Sequence, residues 1–323
     1  MSCPTKPPTE MPRRSATSSV RSYVASSLST NTAKAYAGDL AKFKAWGGVI
    51  PSTPKLLARY IAHGAASLKP STLTRQLAAI AHAHNAKGLH SPTSSPLVKS
   101  TLRGIQRIHG CQQKQARPIT PAMVHRIAKA DPRYSQLQNA RDRALFLLGF
   151  AGGFRRSELC ALQLGDVAIT RRGALVQLRA SKTDPFAKGR NVAIPYSVTS
   201  YCPVVALKRW IKLQRRLLEA TSSDDLPDEF PLFSGIDKYG HLRRGLNAAS
   251  IGSILLRRMR TCGLETAGYS SHSLRAGLVT SAAKAGVPIW AIRRQTGHRS
   301  DLTVQRYIRN LKPFESNAAT GLL

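Results

Sequence analysis

Residues 271–286, SHSLRAGLVTSAAKAG, predict a helix that carries polar side chains in its first turn. Ser271 is a residue type that favours the N-cap position, so the helix is expected to begin at His272. His272 and Arg275 then lie three residues apart on one helical face, close to the N-terminus. The opposite, core-facing stripe consists of Leu274, Leu278 and Ala282. Either polar residue alone is often ordinary surface, but together at a helix N-terminus they are suited to binding a phosphate.

A second helix and a turn follow in the sequence VPIWAIRRQTGH, residues 287–298. Pro288 favours a helix start and Gly297 a helix end, which places His298 in the turn after the helix. The next helix contains Tyr307, nine residues beyond that histidine. Its polar and apolar positions do not form one stripe through Tyr307, so this tyrosine need not belong to the core, although a tyrosine in a helix is usually packed.

The sequence before these helices predicts mostly helix with one small sheet. RDRALFLLGFAGG, residues 141–153, is typical of a buried helix that ends at Gly152 and Gly153. Two strand-like stretches follow, joined by SKTDPFAK, residues 181–188. The strands are expected at 173–180 and 189–195, and further helices at 121–130, at 203–220 and from about 247 to the end.

The N-terminal third predicts a small helical domain, residues 21–111, so that the 323 residues form two domains. Its first helix is stopped by Gly47 and Gly48. The apolar residues of that helix are Ala33, Tyr36, Leu40 and Phe43, and three more helices are expected near 54–66, 70–87 and 93–108. The remaining segments are expected to be a flexible arm at 1–20, a linker at 112–120, a second domain at 121–311 and a tail at 312–323.

The composition indicates a polyanionic partner. Lys and Arg number 49 against 16 acidic residues, a formal charge of +33, and the excess occurs on both sides of residue 117. Such a charge favours nucleic acid, because it neutralises phosphates and releases their counterions. A basic solvated face or a ribosomal-type protein is the plainer interpretation of the charge alone.

The cysteines and the apolar runs indicate the cellular compartment in which the protein is expected. Five scattered cysteines without a C-x-x-C pair favour neither a disulfide framework nor a zinc site, and they fit a reducing cytoplasm. No apolar run follows the charges near the start, so no secretory signal is expected. The longest apolar run, residues 144–154, is shorter than the roughly 18 residues that a membrane span needs.

The H-S-L-R box, the G-H pair and the tyrosine nine residues after it resemble the tyrosine recombinase (phage integrase-type) family. HSLRAG and the ending YIRNL look especially like the Cre-type recombinases. The resemblance is specific over residues 140–311 and softer over 25–110. It implies a mainly α fold with a small β-sheet, made of a helical SAM-like core-binding domain and a mixed, mostly helical catalytic domain. The short N-terminal arm suggests an enzyme that reads core sites only.

The family's motifs are matched one by one. The first arginine box corresponds to GGFRRSEL, the hairpin lysine to SKTD, and the third box to the G-H pair, where Cre-type enzymes can carry tryptophan. The catalytic positions implied are Arg155, Lys182, His272, Arg275, His298 and Tyr307 as nucleophile, with Glu158 as a supporting acid.

These residue types suit attack of a tyrosine hydroxyl on a phosphodiester. Arg155 and Arg275 can each fork onto two phosphate oxygens, and His298 can donate a further hydrogen bond. His272 is placed to accept or relay the proton of Tyr307, whose unperturbed pKa of roughly 10 makes it a poor nucleophile without help.

The leaving 5′-oxygen needs a proton, which the resemblance assigns to Lys182, with Lys188 as the alternative. Glu158 is expected to orient His272 or an arginine. The products are a 3′-phosphotyrosyl link and a free 5′-hydroxyl, so rejoining needs no ATP. No metal and no cofactor are expected, in keeping with the lack of a G-x-x-x-x-G-K-[ST] motif and of clustered carboxylates.

The expected partner is double-stranded DNA with an inverted-repeat core site, whose arms the resemblance suggests to be roughly 11–13 base pairs. Four protomers are expected to join two duplexes through a Holliday junction in the bacterial cytoplasm, at the nucleoid, with an accessory protein left open. The rival hypotheses are a type IB topoisomerase or telomere resolvase, a non-catalytic DNA-binding protein, and an RNA-binding protein, which the 6% aromatic content disfavours.

Overall fold

The chain forms two units. The computed structural model describes residues 23–24, 27–111, 115–179, 181, 184, 188–219, 228–243 and 245–308. Contacts between Cα atoms divide the chain into Met1–Lys114 and Gln115–Leu323, a division that falls within the segment predicted as a linker. Each unit has a hydrophobic core of its own.

The described part of the N-terminal unit has four α-helices. Helices α1 to α4 comprise Thr30–Ala45, Pro54–Gly64, Pro70–Asn85 and Pro96–His109. Two of them begin with a hydroxyl residue followed by proline: Thr53 caps α2 and Ser95 caps α4, and each hydroxyl accepts a backbone N–H of the first turn. A bidentate ion pair between Asp39 and Arg75, at 2.8 and 3.0 Å, joins α1 to α3 beside the core.

The described part of the C-terminal unit has eight α-helices. Helices α5 to α12 comprise Pro121–Ala128, Gln136–Gly152, Arg156–Ala161, Pro203–Glu219, Ala248–Thr261, His272–Lys284, Ile289–Thr296 and Asp301–Ile308. α6 lies at the centre, with Phe146 fully buried, and packs against α5, α8 and α10. No helix among the described residues is long and apolar enough to cross a membrane.

Two small antiparallel sheets complete the C-terminal unit, so the predicted mainly α fold with little β-structure is confirmed. The three-stranded sheet has the order β1-β2-β3, with strands Val167–Thr170, Gly173–Leu178 and Arg190–Pro195. The second sheet pairs β4 (Gly235–Ile236) with β5 (Leu242–Arg243). The prediction of a single sheet is therefore wrong. β1 is mostly exposed and the strands of the second hairpin have two residues each, so neither shows the alternating pattern that identifies a strand.

α10 lies directly against the backbone that enters the C-terminal unit. The N–H of Ile119 donates to the carbonyl of Ser273 at 3.1 Å, and the N–H of Arg117 donates to Gly268 at 2.9 Å. Gly277 permits this approach, because a Cβ there would lie 2.2 Å from the carbonyl oxygen of Ile119. The helix that carries Arg275 is thus fixed on one side by main chain.

We expect Gly277→Ala to lower the free energy of unfolding by about 1–3 kcal/mol, because the added methyl overpacks this contact. Gly252→Ala in α9 is the matched control, since its Cβ would meet no atom closer than 3.9 Å. The control should be neutral or stabilising by up to about 1 kcal/mol, the difference in helix propensity. Urea unfolding curves measure both variants, and equal midpoints for the two would contradict the close approach.

Candidate active site

Arg155 is placed by a sharp turn at the end of α6. The helix ends as predicted at Gly152 and Gly153, and Gly153 is left-handed with a φ of 58°. A Cβ at Gly153 would lie 2.8 Å from a methyl of Leu278 and 2.9 Å from Thr296, so glycine is also required by packing. The turn directs Arg155 to the N-cap position of α7.

Glu158 fixes the guanidinium of Arg155. Its Oε1 accepts from Arg155 Nη1 at 2.6 Å, and its Oε2 accepts the backbone N–H of Arg155 at 2.8 Å. The carboxylate is 1% exposed, so water cannot donate hydrogen bonds to it, and Arg155 supplies a donor to each of its oxygens. The sequence left His272 or an arginine as the partner of Glu158, and the structure shows Arg155.

Arg275 is buried, contrary to the prediction that it faces away from the core. The residue is 4% exposed because α10 packs against α6, α11 and α12 as well as the segment at Ile119. Its Nη1 donates to the carbonyl oxygens of Gly153 and Thr296, both at 2.7 Å. Its Nη2 is also buried and has no hydrogen-bond partner among the described residues. The predicted stripe is correct at Leu274, whereas Leu278 and Ala282 are only half-buried.

His272 is the exposed first residue of the same helix. Ser271 occupies the N-cap position but has helical backbone angles and no capping hydrogen bond, so the predicted cap is wrong in its chemistry. A capping side chain reaches back only from an extended backbone. The hydroxyl of Ser270 instead accepts the N–H of His272 at 3.2 Å, and Ser273 Oγ accepts the N–H of Ser270 at 2.9 Å.

The C-terminal end of α11 gathers three guanidinium groups. Three successive carbonyl oxygens accept hydrogen bonds from them. The carbonyl of Gln295 accepts from Arg190 Nη1 at 2.9 Å, and that of Gly297 accepts from Arg155 Nη2 at 3.5 Å. The carbonyl of Thr296, between them, accepts from both Arg275 Nη1 at 2.7 Å and Arg190 Nη2 at 3.2 Å. Gly297 ends the helix, as predicted, and adopts the left-handed conformation. A helix C-terminus carries partial negative charge, so it is a favourable position for cations.

Thr296 fixes the ring of His298. Its hydroxyl donates to the carbonyl of Ile292 at 2.6 Å and lies 2.7 Å from His298 Nδ1. A hydroxyl has one hydrogen, so with that hydrogen on Ile292 the oxygen must accept the Nδ1–H of the histidine. The neutral ring therefore carries its proton on Nδ1 and presents a lone pair at Nε2.

His298 is held neutral by its surroundings. Burial, followed by the positive charges of Arg275, Arg155 and Arg190, lowers its pKa to about 3. The same environment acts on Arg275, whose pKa is lowered to about 10, chiefly by burial and by the charge of Arg155. The predicted hydrogen bond from His298 to a phosphate thus requires a second proton, which an anion in the site would favour.

Tyr307 faces His298 from α12. The two rings have centroids 6.0 Å apart at an interplanar angle of 47°. Tyr307 is half-buried and packs at the edge of a small apolar cluster of Val279, Ile292 and Val304. The cluster holds the aromatic ring while leaving the residue partly exposed, so packing and reactivity are compatible at this position.

Lys182 lies outside the described residues. The described part of the same turn shows a bridge between Ser181 and Asp184, and the carboxylate of Asp184 accepts the N–H of Gly189 at 2.7 Å. Lys188, the alternative acid, is exposed in this turn.

Arg190 is a site residue that the sequence analysis missed. It is the first residue of β3, on the same strand face as the buried Val192 and Ile194. The sequence offers one indication of this role: Arg190 alternates with apolar residues that a strand would bury, so a strand would place its charged side chain on the buried face. Its guanidinium also lies 3.9 Å from Glu158.

The arrangement is suited to an oxyanion. Of the three guanidiniums, those of Arg155 and Arg190 lie beside the carboxylate of Glu158, and Arg275 Nη2 remains a buried donor without a hydrogen-bond acceptor in the described part of the chain. Buried donors of this kind favour an anionic acceptor. Among the described residues, no three His, Cys, Asp or Glu side chains cluster closely enough to hold a metal ion.

We expect ¹⁵N NMR of histidine-labelled protein to show His298 as the Nδ1–H tautomer, neutral down to a pH of about 3. The ordinary pKa of histidine, roughly 6.5, applies to the unfolded chain. The free energy of unfolding therefore has its full contribution from His298 above a pH of roughly 6.5, and that contribution is lost as the pH falls from there towards the folded pKa. Thr296→Val removes the hydroxyl that accepts the Nδ1–H, so the neutral ring should become a mixture of the Nδ1–H and Nε2–H tautomers. An Nε2–H ring at neutral pH, or titration near the ordinary value, would contradict this environment.

Solved structures share the fold of this chain. XerH site-specific recombinase bound to palindromic difH substrate aligns with 90% of this chain and 79% of its own, with a TM-score of 0.62 and 18% identity. A lambda integrase dimer bound to a COC' core site aligns with 91% and 75%, with a TM-score of 0.59 and 16% identity. At these identities the likeness concerns the fold alone.

Sequence relatives extend the comparison. An integrase/recombinase xerD homolog of Selenomonas ruminantium is 33% identical over 302 residues, which cover 90% of this chain and 85% of the relative. Tyrosine recombinase XerA of Thermococcus kodakarensis is 28% identical over 70% of this chain and 74% of its own length. The profile of the phage integrase family matches residues 117–313, which hold every site residue described above. The chain therefore belongs to the phage integrase family.

Proposed function

We propose that this protein is a site-specific DNA recombinase that cleaves and rejoins strands through a 3′-phosphotyrosyl intermediate. The observation that carries the proposal is the gathering of Arg155, Arg190 and Arg275 at the end of α11, beside His298 and a partly exposed Tyr307. Family membership and relatives named as recombinases support it.

In the proposed reaction, the hydroxyl oxygen of Tyr307 attacks the scissile phosphorus and the bond from phosphorus to the 5′-oxygen breaks. The proton of Tyr307 passes to His272, and Lys182, or Lys188 in its place, protonates the leaving 5′-oxygen. The phosphotyrosyl bond keeps the free energy of the phosphodiester. The 5′-hydroxyl of another strand then attacks the phosphotyrosyl phosphorus, and the bond from phosphorus to the Tyr307 oxygen breaks. The proposed reaction therefore consumes no ATP and uses no metal ion.

The arginines serve the transition state, in which negative charge grows on the non-bridging oxygens. Arg155, fixed by Glu158, and Arg275, fixed by two carbonyls, are held before any DNA arrives, so little reorganisation is needed. Losing one such donor typically costs about 2.7–4 kcal/mol of transition-state stabilisation. The Nη2 of Arg275, which has no acceptor among the described residues, is proposed to donate to a phosphate oxygen.

His298 is proposed to gain a proton when the phosphate enters. The phosphate charge offsets the arginines that lower the pKa of the ring, and the charged ring donates through Nε2. Thr296 keeps Nδ1 occupied, so Nε2 is the nitrogen left for the substrate.

The larger assembly is proposed from the family. The helical domain at 21–111 and the catalytic domain at 121–311 bind one arm of an inverted repeat in double-stranded DNA. Four protomers join two duplexes through a Holliday junction, and the segment at 312–323 docks on a neighbouring protomer. The biological task is integration and excision, or resolution of dimers or transposon cointegrates, in the cytoplasm at the nucleoid, with or without an accessory protein.

We expect Tyr307→Phe to abolish the covalent DNA adduct while leaving DNA binding unchanged, because only the nucleophilic oxygen is removed. The substrate is a duplex that carries an inverted repeat sought in the DNA beside the gene, nicked next to the cleavage site so that the adduct accumulates for denaturing gel electrophoresis. Tyr239→Phe is the control, since Tyr239 is 72% exposed on the β4–β5 hairpin, and it should form adduct normally.

A non-catalytic DNA-binding protein predicts no adduct from the parent protein, which would contradict the proposal. A topoisomerase would form the adduct and relax a supercoiled plasmid but would not join strands of two duplexes. Strand exchange between two labelled duplexes therefore separates recombinase from topoisomerase.

A further inference from the structure

Arg190 holds the turn that carries His298. Its Nη1 donates to the carbonyl of Gln295 at 2.9 Å and its Nη2 to the carbonyl of Thr296 at 3.2 Å. The side chain is 22% exposed, and its Nε is buried without a hydrogen-bond partner in the described residues. A fork across two successive carbonyls is a contact that guanidinium geometry allows and an ammonium group cannot reproduce.

Gly297 is fitted to the same guanidinium. A Cβ at Gly297 would lie 2.7 Å from Arg190 Nε and 3.0 Å from its Cζ, so the group rests against the bare backbone. The φ of 66° at Gly297 favours glycine as well. Position 297 thus meets two constraints, the left-handed turn and the close approach of Arg190.

The burial of Arg190 is not explained by ion pairing. Burial is the main cause that lowers the pKa of Arg190, and the charge of Arg155 acts in the same direction. The opposing attraction comes from Glu158, at a distance of 3.9 Å. Loss of hydration is therefore the main cost of placing Arg190 here, and its contribution is the position of the turn.

We propose that Arg190 is a positioning residue for strand cleavage, which clamps residues 295–297 and thereby sets the ring of His298 and the carbonyl that holds Arg275. This inference rests on the proposed function. Thr296 lies at the centre of the clamp, because its carbonyl receives Arg190 and Arg275 while its hydroxyl receives His298. Since Arg190 begins β3, the clamp also ties the hairpin of β2 and β3 to the end of α11.

Arg190 also acts on His298 through its charge. The charged groups around this histidine are Arg155 and Glu158 at the start of α7, Arg190 on β3 and Arg275 on α10, and Tyr307 faces it from α12. Removing the charge at 190 is expected to raise the pKa of His298, whereas a lysine at 190 keeps the charge and loses the fork. The two substitutions therefore separate the clamp from the electrostatic effect.

The test uses Arg190→Met and Arg190→Lys in the full-length chain, with Arg172→Met as a control for loss of one positive charge on the exposed β1–β2 turn. Single-turnover adduct formation on the nicked duplex is measured between about pH 5 and 8. DNA binding is measured in the Tyr307→Phe background. His298 is titrated by NMR in each variant without DNA.

We expect both variants to bind DNA within about threefold of the parent and to form adduct roughly 100-fold more slowly, the usual effect of misplacing a reacting group by about 1 Å. The pKa of His298 should rise in Arg190→Met and stay near the parent value in Arg190→Lys. Arg172→Met should match the parent in adduct formation.

Adduct formation within about threefold of the parent in both variants, with unchanged His298 titration, would overturn the inference. Gly297→Ala gives a second measure if Arg190→Met melts near the assay temperature. The alanine should slow the parent more than it slows an Arg190→Ala background, since the clash at 2.7 Å is then removed, and equal slowing would count against the contact. A parent that forms no adduct refutes the proposed function. The Gly297→Ala and Arg190→Ala cycle, measured as free energies of unfolding, then still judges the contact between Arg190 and the turn.

Discussion

The site depends on the carbonyl end of helix α11, where three successive backbone oxygens accept hydrogen bonds from three arginines. Guanidiniums crowded in a buried place repel one another and lose hydration, so they need fixed acceptors. The helix terminus supplies these acceptors together with its partial negative charge. Glu158 supplies the remaining compensation through its contacts with Arg155.

This constraint explains why separate elements converge. Arg155 comes from the turn after α6, Arg190 from β3 and Arg275 from α10, and each reaches the same three-residue turn. Close packing at Gly153, Gly277 and Gly297 brings those elements near enough to share it. The three arginines are therefore held by the protein itself, which is the condition that the proposed electrostatic stabilisation requires.

Local signals predicted much of the fold and the family motifs supplied the candidate residues. Pro288 and Gly297 lie at the two ends of α11, and Gly152 and Gly153 end α6, because the chemistry of helix ends is local. The burial of Arg275 could not be predicted, since it results from three helices and the segment at Ile119 packing against α10. Arg190 escaped notice for a related reason: its partners lie about 105 residues away in the chain, and only the folded turn brings them to it. The charge state of His298 likewise depends on three distant arginines.

A crystal structure of the Tyr307→Phe protein bound to an uncleaved duplex is the most direct test of this account. The account predicts that non-bridging oxygens of one phosphate lie within about 2.7–3.2 Å of donors from Arg155 and Arg275, with the ring at 307 in line with the 5′-oxygen. It also predicts that the carbonyl contacts of residues 295–297 persist. A scissile phosphate bound away from position 307, or arginines that leave those carbonyls and point to different phosphates, would contradict it.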